Sequence, residues 1–311
     1  MTTLAIRTSQ DLVHRANPRE ILVSPPRRDT ERRYRSMTVT TDISPYYLDH
    51  PARHRLDLLL MTEACRQAAL SAAHKFEGLP LGVAVFFNSI DVRISNVSEL
   101  LKSARELTIT TTMQQMKLRN DGSPKQIEYS QVAVLAGSDT PVVRSKMAVQ
   151  GVSKGRYSDL RAYQRNGSAA PSTAGMRTDF RRHRDLTAPE RVGRTQIANV
   201  VLAGLRIDDG GATAMLDADL SNASLFDHDY DHYPAMVLIE AGRQLALAGT
   251  RRPVDWIVSG FHAEFPQFAE LDTPTVLVAR QHQDRVEVRC LQNDLVVTDM
   301  CFELTSMARR T

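Results

Sequence analysis

Two glutamates sit where carboxylates are costly. Residues 236–248 run MVLIEAGRQLALA, a helix apolar almost all the way round, which leaves no solvated face and should be buried. Glu240, Arg243 and Gln244 interrupt it at i, i+3 and i+4, so they share one side. A buried carboxylate and guanidinium must be paired and hydrogen-bonded, because an unpaired one costs several kcal/mol, roughly. Burial would raise the pKa of Glu240 and suit it to proton transfer, while Arg243 would oppose that rise. Arg243 could clamp a phosphate or polarise a carbonyl, and Gln244 could orient its neighbours. A purely structural Glu240–Arg243 ion pair is the alternative reading. The preceding loop, Phe226–Tyr233, supplies His228 and His232, two candidates for acid–base work. His228, Asp231 and His232 also have metal-like spacing, but no further ligand run accompanies them, and no metal is expected. The helix start at Pro234 offers free N–H groups for an oxyanion or phosphate.

The same pattern occurs earlier. Glu63, Arg66 and Gln67 repeat the i, i+3, i+4 spacing in an apolar run, 177 residues before Glu240. Asp49-His50 precedes Asp227-His228 by 178, and VHRANPREILVS (residues 13–24) precedes VGRTQIANVVLA (residues 192–203) by 179. Three segments repeating in order at nearly one offset indicate an internal duplication. His50 and His54 are the first-repeat counterparts of the loop histidines. His74, farther along the first helix, reads as a helix-end histidine satisfied by its surroundings.

The elements that must position these residues follow the duplication. In the first half, short strands near Ile21–Val23 and Tyr34–Thr41 precede a helix over roughly 57–77, closed by Gly78 and Pro80. Strand-like runs follow at Val83–Ile94, Glu106–Leu118, Gln126–Ala136 and Val142–Val149, with turns at Asn120–Gly122 and Gly137–Asp139. The second half repeats this order: strands near 197–203 and 212–217, a helix over 234–250, then strands near 254–265, 273–280, 285–291 and 295–304. This predicts an N-terminal domain over 1–151, a basic flexible linker over 152–190 and a C-terminal domain over 191–311. Gly167, Ser168, Pro171 and Ser172 have linker composition, and Arg181, Arg182 and Arg184 crowd its end. Each domain alone would leave a sheet edge open, and pairing the two edges would remove that liability.

Composition sets bounds. The chain has 311 residues, room for two domains. Its net charge of +3 is too small to argue nucleic-acid binding. No apolar run reaches the length of a membrane span, and the start lacks a secretory pattern, so a cytoplasmic protein away from membranes is expected. Three cysteines, Cys65, Cys290 and Cys301, form no metal spacing and fit a reducing compartment. No GxSxG elbow or Ser-His-Asp order stands out, which argues against a covalent serine intermediate. No GxGxxG or Walker loop is present, so no cofactor is expected.

A buried helix after a His-containing loop, followed by four strands, resembles the hot-dog fold. DHxxxHxPxMxxxEAxRQ in the second half is similar to a repeat of the A-factor biosynthesis (AfsA-type) family, the γ-butyrolactone autoregulator synthases of actinomycetes. So are LLLxTEAxRQAALxxAH with Leu79–Gly82 in the first half and FPQFAELDTP (residues 265–274) in the second. The resemblance covers roughly residues 13–150 and 190–305. It departs at Arg53, which stands opposite Asp231, at the missing partner of Pro234, and at Ala235, where glycine is usual.

The resemblance implies an α+β protein of two fused hot-dog domains, each a long buried helix wrapped by an antiparallel sheet. It implies an acyltransferase that moves a β-ketoacyl group from acyl carrier protein to dihydroxyacetone phosphate. Glu240, Arg243, His228, His232 and Glu63 are then the catalytic candidates, with Gln244, Arg66 and Gln67 in substrate binding. The basic surface at Arg181, Arg182 and Arg184 would receive the acidic carrier protein. A dehydratase or thioesterase on the same thioesters, and an acyl-binding regulator without turnover, are the rival readings. Which repeat turns over, and whether the chain forms a homodimer, stay open.

Overall fold

The protein is described by a computed structural model over residues 6–51, 58–102 and 106–307. The chain divides into two compact units, Met1–Tyr47 with Arg55–Ala169, and Leu48–His54 with Ala170–Thr311.

The first unit holds α1 (Gln10–Val13), β1 (Arg27–Thr30), β2 (Arg33–Met37), α2 (Leu58–Phe76), β3 (Ala84–Ile94), α3 (Val97–Lys102), β4 (Leu107–Leu118), β5 (Pro124–Leu135), β6 (Pro141–Val152) and α4 (Lys154–Gln164). Its strands pair antiparallel in the order β1-β2-β4-β5-β6-β3. α2 packs against β2, β3, β4, β5 and β6, and from Leu58 to Ala73 every residue of it is buried. Each fully enclosed leucine there contributes about 1.5–3 kcal/mol. The helix stops where the chain turns left-handed. Gly78 has φ +71°, and the Leu79 amide closes back on the Ala73 carbonyl at 3.1 Å.

The second unit holds α5 (Thr173–Met176), β7 (Leu202–Asp208), β8 (Gly211–Leu216), α6 (Ala235–Ala248), β9 (Trp256–Glu264), β10 (Val276–His282), β11 (Arg285–Gln292) and β12 (Leu295–Ser306). Its strands pair antiparallel in the order β7-β8-β10-β11-β12-β9. Strand for strand this is the topology of the first unit, as the duplication predicts. α6 lies very close to its sheet. A Cβ on Gly242 would stand 2.7 Å from Met300 Cε and 2.7 Å from Phe302 Cε2. Along β10 to β12, the inward residues Leu277, Ala279, Val286, Val288, Met300 and Phe302 alternate with exposed or half-buried ones, the pattern of a sheet covered on one face.

Arg27, Arg28 and Arg33 lie in the edge hairpin β1–β2, where exposed charges protect an open edge. Ile21–Val23 forms only a single bridge, Val23 to Thr38. Residues 152–190 carry α4 and several side-chain contacts. α4 buries Arg161 and stacks Tyr157 on Phe86 with centroids 5.8 Å apart. Farther on, buried Thr173 bonds Asp229 at 2.9 Å, Arg177 Nε donates to the Leu220 carbonyl at 2.9 Å, and Arg182 donates to the Ile197 and Asp217 carbonyls at 3.2 and 2.6 Å. Long arginines that cap loop carbonyls were indistinguishable by composition from arginines in solvent.

The other departure is the loop before α2. Its residues 48–51 belong to the second unit, not the first. Arg53 and His54 lie outside the described residues.

Candidate active site

The route into α6 sets the site. The one-turn segment Pro189–Val192 ends at Gly193 with φ +69°, and this left-handed step turns Arg194 back toward the helix. Arg194 is fully buried. Its Nε donates to Glu240 Oε1 at 2.8 Å. Arg243 donates through Nε to Oε2 at 2.6 Å and through Nη2 to Oε1 at 2.9 Å, and Gln244 Nε2 donates to Oε1 at 2.5 Å. Gln244 then joins the helix to the incoming chain. Its Nε2 donates to the Asn199 carbonyl at 2.8 Å, and its Oε1 accepts the Val201 amide at 2.9 Å.

The first unit builds the same tetrad. His14 has φ +52°, the left-handed place of Gly193, and Arg15 follows it. Arg15 Nε donates to Glu63 Oε1 at 2.9 Å; Arg66 donates to both oxygens at 2.8 and 2.7 Å; Gln67 Nε2 donates to Oε1 at 2.6 Å. Gln67 joins the Glu20 carbonyl at 2.6 Å and the Leu22 amide at 2.8 Å, the counterparts of Asn199 and Val201. The VHR/VGR match carried Arg15 and Arg194, but helical spacing alone could not show that they turn back onto the glutamates.

These contacts correct the expected direction of the glutamate pKa. Burial pushes Glu240 up, but the charges and hydrogen bonds of Arg194 and Arg243 outweigh it and hold the carboxyl at about 2. Glu63 is likewise pushed up by burial and brought down to about 2 by Arg15 and Arg66. A carboxylate this acidic, with both oxygens occupied by donors, is a poor general base near neutral pH. It is a good anchor. Arg243 spends Nε on Glu240 and Nη2 on Glu240 and the Val192 carbonyl, which leaves Nη1 outside these bonds.

The loop histidines do not bond Glu240. His228 Nδ1 lies 2.8 Å from Asp227 Oδ1, and His232 Nδ1 lies 2.6 Å from Asp231 Oδ1. The Asp227 side chain has no exposed surface and also accepts the Tyr230 hydroxyl at 2.9 Å, while His228 is 42% exposed. Among the described residues no group of three or more potential metal ligands is gathered.

The first-repeat dipeptide has a different fate. Asp49 Oδ1 accepts the Thr195 amide at 2.9 Å and the Thr195 hydroxyl, and Oδ2 accepts Asn199 Nδ2 at 2.8 Å. Burial pushes its carboxyl up, and the Thr195 and Asn199 hydrogen bonds bring it below the usual value. Its backbone carbonyl accepts Arg194 Nη1 at 3.3 Å. His50 beside it is buried. His74 bonds the Leu79 carbonyl through Nδ1 and His14 through Nε2, both at 2.9 Å. Burial pushes the Cys65 thiol up to about 12, which disfavours a thiolate nucleophile. No described helix is long and apolar enough to cross a membrane.

Comparison with known proteins joins both halves to one family. A family model described as the A-factor biosynthesis hotdog domain matches residues 2–149 and again 177–301. The 2-oxo-3-(phosphooxy)propyl 3-oxoalkanoate synthase of Streptomyces coelicolor is 31% identical over 231 residues, 72% of this chain and 66% of that protein, just under two thirds of it. A synthase of the same name from Streptomyces griseus is 27% identical over 299 residues, 90% of this chain and 88% of its own. Two solved structures share the fold at 9% identity and a TM-score of 0.53. One is a 12:0-ACP thioesterase from Umbellularia californica, covering 88% of this chain and 97% of its own. The other is a putative oleoyl thioesterase from Lactobacillus plantarum, covering 89% and 96%. With two hot-dog units, matching tetrads and a family match across both halves, the chain belongs to the A-factor biosynthesis hotdog family.

Proposed function

We propose that the protein is an acyltransferase that moves a 3-oxoacyl group from an acyl carrier protein thioester to the hydroxyl of dihydroxyacetone phosphate. The family match over both halves supports this reading, together with the name of its relatives, which describes that ester. The hydroxyl oxygen attacks the thioester carbonyl, the carbon–sulfur bond breaks, and the hydroxyl proton leaves with the thiol.

Such a reaction needs a proton acceptor and a group that stabilises negative oxygen. The exposed imidazole of His228 is suited to the first, with His232 beside it in the loop. Arg243 is suited to the second, through Nη1 toward the carbonyl oxygen or the phosphate. Glu240 and Gln244 hold that guanidinium in place and supply its counter-charge. Glu63, Arg66 and Gln67 give the first unit the same framework. Among the described residues of its loop, Asp49 is taken up by Thr195 and Asn199 and His50 is buried, which favours turnover in the second unit. The carrier protein, acidic in this reading, would meet exposed Arg181 and Arg184; Arg182 is committed to loop carbonyls.

Mass spectrometry of the products formed from a 3-oxoacyl carrier thioester tests this. The expected product is the phosphorylated ester, formed only when dihydroxyacetone phosphate is supplied. Dehydration or hydrolysis without the acceptor would replace this reading with a dehydratase or a thioesterase, and binding without turnover with a regulator.

A further inference from the structure

We propose that Asp227 is the positioning residue of a proton-transfer dyad in the second unit. In this dyad it fixes the His228 imidazole so that Nε2 takes the acceptor hydroxyl proton. The proposal rests on the acyl-transfer reading above.

The geometry specifies the tautomer. An ionised carboxylate only accepts, so at 2.8 Å from Asp227 Oδ1 the nitrogen that carries hydrogen is Nδ1. In the neutral ring Nε2 then holds the lone pair, and among the described residues it has no protein hydrogen-bond partner. Asp227 is itself held. Its side chain is fully buried, and the Tyr230 hydroxyl donates to the same oxygen at 2.9 Å. The Tyr230 ring lies against the imidazole with centroids 4.0 Å apart. The ring is therefore fixed on one nitrogen and one face, and its other nitrogen is left to solvent. Asp229, between them in sequence, turns away to bond Thr173 and the Ala174 amide at 2.9 and 2.8 Å.

The duplication supplies an internal comparison. Asp49-His50 is the same dipeptide at the same place in the repeat. There the carboxylate is taken up by Thr195, Gln196 and Asn199, and its neighbour's imidazole is not among its partners. One copy keeps aspartate and histidine together with the ring exposed. The other has turned the aspartate into a brace and buried the histidine.

In the step itself, the hydroxyl proton moves to His228 Nε2 as the oxygen bonds the thioester carbon. Asp227 faces the imidazolium that results. The proton then passes from Nε2 to the departing thiolate, which leaves as thiol, so no further reactant is required.

The test measures transfer to dihydroxyacetone phosphate together with 15N NMR of the histidine rings, in the full-length protein. His228→Asn is expected to lower kcat by on the order of a hundredfold or more. Asp227→Asn should lower kcat by a similar order with the KM for dihydroxyacetone phosphate unchanged, and the NMR signal of His228 should move from the Nδ1–H toward the Nε2–H form. Tyr230→Phe keeps the ring and removes one bond, so a several-fold fall in kcat is expected; it decides the matter if Asp227→Asn does not fold. His50→Asn should leave the His228 tautomer signal in place. Wild-type kcat and an unmoved signal in folded Asp227→Asn, or in Tyr230→Phe if that variant alone folds, overturn the dyad. Failure of the wild-type protein to form ester overturns the acyl-transfer reading instead.

Discussion

Arg15 and Arg194 stand 179 residues apart and make the same bond, Nε to the inner oxygen of a buried glutamate, at 2.9 and 2.8 Å. Each follows a left-handed residue and each closes a tetrad with an arginine and a glutamine one helical turn away. The duplication has preserved a charged bracket between the start of each unit and its central helix.

Removing one side of that bracket leaves a buried charge short of a partner. Arg194→Ala is expected to destabilise the second unit by about 3–5 kcal/mol, and Arg15→Ala the first by a similar amount. Chemical denaturation of each variant checks this. A loss below about 1 kcal/mol would mean that water reaches the carboxylate.

The same bracket sets the response to acid. Glu63 and Glu240 have folded values of about 2 against an ordinary 4.5. A depressed folded value gives stability that is present above pH 4.5 and lost as pH falls toward 2, on the order of 3 kcal/mol for each group. Unfolding free energy measured from pH 6 to pH 2 should fall mainly across that window. Glu240→Gln should flatten part of the fall.

Gly242 is a packing position. Gly242→Ala places a methyl against Met300 and Phe302, and Phe302 is itself stacked on Phe261 at 5.8 Å. Overpacking of this kind costs about 1–3 kcal/mol. Thermal unfolding should show the lowered midpoint. An unchanged midpoint would show that the Met300 thioether swings clear.

Reversing charge at Arg181 and Arg184 should act on the carrier protein and not on the chemistry. The double change to glutamate is expected to raise the KM for a carrier-bound thioester by roughly tenfold and leave a small soluble thioester unaffected. Steady-state kinetics with both donors checks it. Equal effects on both donors would place the carrier elsewhere.

Much of this was legible before any coordinates. The apolar helix runs with Glu, Arg and Gln on one side predicted α2, α6 and their buried trios, and Val-, Ile- and Thr-rich runs predicted the strands that follow each helix, while β1 was missed and the strand expected near 197–203 begins only at Leu202. The arginine that completes each tetrad was not legible as a partner, because a backbone reversal at His14 or Gly193 brings it there and periodicity says nothing of reversals. The sign of the glutamate pKa was missed for the same reason: one guanidinium only opposes burial, whereas two overcome it. The contact between Asp227 and His228 was not legible, since whether an aspartate turns toward its neighbour depends on what else competes for it. At Asp49 the Thr195–Asn199 segment competes and wins.

Residues 48–51 serve the half of the molecule they were not copied with. A gene duplication can ordinarily be undone by cutting between the copies. Here the cut would strip the C-terminal half of the carboxylate that ties down Thr195 and Asn199, and of the carbonyl that receives Arg194. The C-terminal half therefore depends on a segment that belongs, in sequence, to the other repeat.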